Sequence, residues 1–86
     1  MNINQLILLV KKKLNQNLKI EDLAIEDKTF LHKKHKSYRE GSFHLKVTIR
    51  SNEFRDITKI DATKKIYSIL KDELKNNIHS IQILIN

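Results

Sequence analysis

The spacing of apolar positions changes along the chain, and each change marks an element. Ile3, Leu6, Ile7, Val10 and Leu14 recur at helical period, which predicts a helix from residue 3 to about residue 16. Leu8 and Leu9 widen its apolar face. Lys11, Lys12 and Lys13 read as a solvated last turn whose cations suit the helix dipole, with a phosphate-binding patch as the other reading. Asn15, Gln16 and Asn17 end the helix. Residues 19–27 read as a strand, with Leu23 and Ile25 pointing one way and Ala24 and Glu26 the other. Residues 43–50, FHLKVTIR, alternate throughout. Phe43, Leu45, Val47 and Ile49 face a core; His44, Lys46, Thr48 and Arg50 face away, which leaves His44 exposed. Residues 51–60 are a short connection anchored by Phe54. Asp61 is an acceptor placed to cap a second helix, whose stripe is Ile66, Ile69, Leu70 and Leu74. Asn76 and Asn77 tolerate the left-handed turn that ends a helix. The period then returns to two: Ile81, Ile83 and Ile85 alternate with Ser80, Gln82 and Leu84, and His79 stands at the junction.

The predicted order is α-β-β-α-β. The two early strands form an antiparallel hairpin, and the crossover through the second helix sets the third strand parallel to the second. Both helices then cover one face of a three-stranded mixed sheet. That is an α+β two-layer sandwich in a single domain, residues 1–86.

Composition narrows the setting. Without cysteine the chain forms no disulfide and no thiolate metal site of its own, which fits a reducing interior. The apolar run Leu6–Val10 is too short to span a bilayer, and its lysines follow it instead of preceding it as in a signal peptide. The expectation is a soluble, cytoplasmic protein. A net charge of +7 suits acidic partners, either nucleic acid or an acidic protein face.

Residues 28–42, KTFLHKKHKSYREGS, have no clean period and hold much of the positive charge. His32 and His35 lie there, with Phe30 and Tyr38. The residues alone leave three readings: a solvated hairpin tip, a metal-binding pair of imidazoles, or a basic loop for a nucleic-acid backbone. Glu21, Asp22, Glu26 and Asp27 read as a solvated acidic edge, because no glycine-turn calcium loop accompanies them. No Ser-His-Asp arrangement and no phosphate-cradling glycine loop is present, so an enzyme is not expected.

Taken together, these residues resemble the BolA family along nearly the whole chain. Glu26-Asp27-Lys28-Thr29 is similar to that family's acidic EDES element. His44-Leu45-Lys46-Val47 resembles its HFKV strand, followed by Ser51 and Phe54. Ile66-Tyr67, Leu70 and Glu73-Leu74 resemble the next helix, and Ile78-His79 resembles the VHAL element with its characteristic histidine. Asp56 stands where the family usually has glycine, and Ala62-Thr63-Lys64 where it has Arg-His-Arg.

The resemblance implies a class II KH-like fold. With its one glycine, the chain lacks the Gly-x-x-Gly loop of KH nucleic-acid binding. It also implies a partner, a monothiol glutaredoxin with glutathione. The pair shares a bridging 2Fe–2S cluster held on this side by His79 and by His32 or His35 of the loop, of which His32 aligns better. Read alone, His79 is a helix-terminal imidazole suited by the dipole; the resemblance makes it a ligand. The chain alone would hold no cluster and would be a monomer or weak dimer. The role would be in iron–sulfur or iron homeostasis. The alternative is a DNA-binding transcriptional regulator that contacts phosphates through Lys46, Arg50, Lys64 and Lys65.

Overall fold

The computed structural model describes residues 1–29 and 43–86. Helix α1 spans Ile3–Asn17. Its start is fixed by a reciprocal cap: the Gln5 N–H donates to Asn2 Oδ1 at 2.8 Å, and the Asn2 N–H donates to Gln5 Oε1 at 3.0 Å. Leu6, Val10 and Leu14 are fully buried, whereas Leu8 is 67% exposed, so the apolar stripe is narrower than its sequence suggests. The lysine trio lies inside the helix, not in its last turn.

Strand β1 (Ile20–Asp27) pairs antiparallel with β2 (Phe43–Ser51), and β2 pairs parallel with β3 (Ile78–Ile85), giving the order β1-β2-β3. Between β2 and the helices a short 3-10 turn, Asn52–Phe54, buries Phe54 as the expected anchor. Leu45, Val47 and Ile49 meet Leu6, Val10 and Leu14 of α1 and Ala62, Ile66 and Leu70 beyond the turn in one core. The helices therefore share one face of a mixed sheet, as the α-β-β-α-β pattern predicts. The other face is open and carries Ala24, Glu26, Lys46, Gln82 and Leu84.

The second helical region departs from its sequence reading. Helix α2 spans Lys59–Ile69 and begins at Thr58, not Asp61: the Thr58 hydroxyl accepts the Asp61 N–H at 3.0 Å. Asp61 belongs to the first turn, where its charge suits the dipole. At Leu70 the backbone leaves helical geometry (φ −97°, ψ 16°), and α3 (Lys71–Asn76) continues separately. Asn77 ends α3 at φ −130°, ψ −32°, so the expected left-handed turn is not formed.

A second correction concerns Lys13. It is not a solvated dipole partner: its Nζ donates to both carboxylate oxygens of Glu73, at 2.8 and 2.6 Å. The Glu73 side chain is only 6% exposed, so the pair ties α1 to α3 inside the molecule. No helix among the described residues is long and apolar enough to cross a membrane.

Candidate functional site

Three chain segments meet at one end of the sheet: the end of β1, the start of β2 and the start of β3. The local register explains what they present. Phe43 of β2 stands opposite Ile78 of β3, but the next residue, His44, stands opposite Ser80. His79 is therefore the extra residue of a β-bulge. The core requires it. Ile78 and Ile81 both face inward, yet they are three residues apart, an odd step in a strand of period two. The bulge absorbs the mismatch and leaves His79 and Ser80 as consecutive exposed residues.

His79 is thus part of β3, one residue inside the expected junction. Its side chain is exposed, and its ring makes no hydrogen bond within the described residues. Tyr67, Leu74, Ser80 and Ile81 line a groove with it.

His44 overturns its sequence reading. It lies on the outer face of β2, but it is buried, at 6% exposure. Its Nδ1 lies 2.6 Å from the Ser80 hydroxyl. Its ring centroid is 5.0 Å from that of His79, with the planes tilted by 59°. Its backbone N–H donates to the buried Thr29 hydroxyl at 3.2 Å, and its carbonyl accepts the Lys28 N–H at 2.7 Å. The Thr29 N–H in turn donates to Asp27 Oδ1 at 2.9 Å. The outer face is open along most of the strand, but it is closed at His44.

The remaining predicted residues divide. His32 and His35 lie outside the described residues. Lys46 and Arg50 lie on the open sheet face, whereas Lys64 and Lys65 are exposed on α2 in the other layer, so the four do not form one surface. Lys46 lies 4.0 Å from Glu26, Arg50 lies 3.4 Å from Glu21, and Lys65 lies 3.7 Å from Glu53. The acidic edge is solvated as expected, and no group of three or more metal-binding side chains occurs among the described residues. Any metal here would need donors from beyond them.

Residues 14–86 fit the family model for BolA-like proteins. The chain belongs to the BolA family. It is 32% identical over 83 residues to the DNA-binding transcriptional regulator BolA of Haemophilus influenzae, an alignment covering 96% of this chain and 75% of that protein. The fold superimposes on the BolA domain of SufE1 from Arabidopsis thaliana with a TM-score of 0.80 and 26% identity, covering 92% of this chain and 87% of that one. BolA1 from the same plant gives a TM-score of 0.77 at 25% identity, over 90% and 84% of the two chains. These neighbours bear out the α+β architecture and the family resemblance of the sequence.

Proposed function

We propose that this BolA-family chain is a binding module, not an enzyme, and that it acts in the cytoplasm with a monothiol glutaredoxin and its glutathione. The shared cargo is a bridging 2Fe–2S cluster, bound or passed on in iron–sulfur and iron homeostasis. The observation that carries this reading is His79: an exposed imidazole, aimed outward by a bulge, with neither ring nitrogen hydrogen-bonded within the described residues.

The donor chemistry fits. A chain without cysteine offers imidazole but no thiolate, so it completes a cluster only beside a partner that brings sulfur. His79 supplies one nitrogen ligand, and His32 or His35 supplies the second from this chain. Histidine in place of thiolate raises the reduction potential of such a cluster. The chain by itself carries none and is a monomer or weak dimer.

The test is reconstitution of the cluster with a monothiol glutaredoxin and glutathione. Adding this chain should give a heterodimer with an altered visible spectrum, and His79→Ala should abolish that alteration. A spectrum and cluster lifetime indifferent to His79→Ala would remove His79 as a ligand.

The name of the Haemophilus relative favours a second reading, in which this chain also binds DNA. Lys46, Arg50, Lys64 and Lys65 would then contact phosphates from two separate surfaces. Affinity would fall steeply with salt, and no binding at low salt would dispose of this reading.

A further inference from the structure

We propose that His44 is a positioning residue for His79, holding the exposed imidazole in one orientation before any ligand arrives. The proposal rests on the reading of His79 as a ligand and deepens it.

The buried polar side chains among the described residues are Thr29, His44, Ser51 and Glu73. Ser51 and Glu73 have structural tasks: the Ser51 hydroxyl donates to the Lys19 carbonyl at 2.6 Å, and Glu73 accepts from Lys13. Thr29 accepts the His44 N–H. A buried polar ring costs free energy unless it is satisfied, and an apolar side chain would close the same space. Two contacts of the His44 side chain reach β3: Nδ1 lies beside the Ser80 hydroxyl, and the ring lies against that of His79.

This arrangement meets a need created by the bulge. An exposed side chain without hydrogen bonds samples three χ1 wells and two ring orientations. Its neighbour's ring, 5.0 Å away, removes part of that freedom. The Ser80 bond keeps that neighbour from turning. His44 also ties β3 to Thr29, two residues past the end of β1. Thr29 and Ser80 are thus both held by one residue.

A ligand site populated for only part of the time binds more weakly by that fraction. Freeing His79 among its rotamers should therefore weaken its hold on a cluster roughly three- to sixfold. The variants are His44→Leu, His44→Gln and Ser80→Ala. Ser80 is exposed, so its variant leaves the core intact. Two readouts are needed: the χ1 couplings of His79 by NMR in the cluster-free chain, and the cluster lifetime in the heterodimer with glutaredoxin. His44→Leu and Ser80→Ala should give averaged couplings and a lifetime shortened roughly three- to sixfold, with partial recovery in His44→Gln. A single His79 rotamer retained in both His44→Leu and Ser80→Ala would overturn the proposal, whatever happens to the lifetime. The couplings are read without a cluster. If His79→Ala leaves the cluster spectrum unchanged, the ligand reading fails separately, and the couplings still decide whether His44 orients the ring.

Discussion

Replacing Lys13 by methionine keeps the side-chain stem and removes the ammonium that faces Glu73. The carboxylate would then be left 6% exposed without its ion-pair partner. Removing one partner of a fully buried pair costs about 3–5 kcal/mol. Lys13 keeps 28% of its side-chain exposure, so solvent screens part of the interaction. The expected loss is about 2–3 kcal/mol. For a domain of this size that lowers the thermal midpoint by roughly 10–20 °C. The pair spans sixty positions and joins the first helix to the one that delivers His79, so the loss should appear as reduced global stability. Urea unfolding followed by circular dichroism reads it as a lower midpoint at constant slope. Glu73→Leu combined with Lys13→Met should recover most of the loss, since an apolar pair replaces an ionic one without leaving a buried charge. A single variant that loses under about 0.5 kcal/mol, or a double variant no better than the single, would refute the reasoning.

Other expectations follow from the same contacts. Thr58→Ala removes the acceptor of the Asp61 N–H and should cost about 1 kcal/mol, whereas Asp61→Asn should cost less, because Asp61 is not the cap. Chemical denaturation separates the two. Ile66→Ala opens a cavity at a fully buried position and should cost about 2–5 kcal/mol. Glu26→Gln loosens an exposed pairing with Lys46 and should change stability by less than about 1 kcal/mol in the same assay.

Much of the fold is legible in the residues. The uninterrupted alternation of FHLKVTIR fixes β2 and its inner face, and the change of period after Asn77 marks β3. Alternation assigns a face, however, and says nothing about whether that face is open. His44 points outward as its parity demands, yet it is buried, with its ring beside Ser80 and His79 of β3. That closure is tertiary. The break at Leu70 leaves no mark either, since Leu70 is fully buried and stays in the stripe. The start of α2 is obscured because Ile57 and Ile60 are exposed and blur the periodicity, while Asp61 imitates a cap. The bulge at His79 had a signal that could have been used: two core isoleucines at an odd spacing. Lys13 and Glu73 had none, because nothing local couples positions so far apart.

The most direct examination of His79 is magnetic. The chain, labelled with 15N only in histidine, would be joined to unlabelled glutaredoxin, glutathione and cluster, and the cluster reduced to a paramagnetic state. Pulsed EPR should detect 15N coupled to the iron, and His79→Ala should remove the strongest of those couplings. Couplings that persist undiminished in His79→Ala, or no 15N coupling in the unaltered chain, would contradict the account.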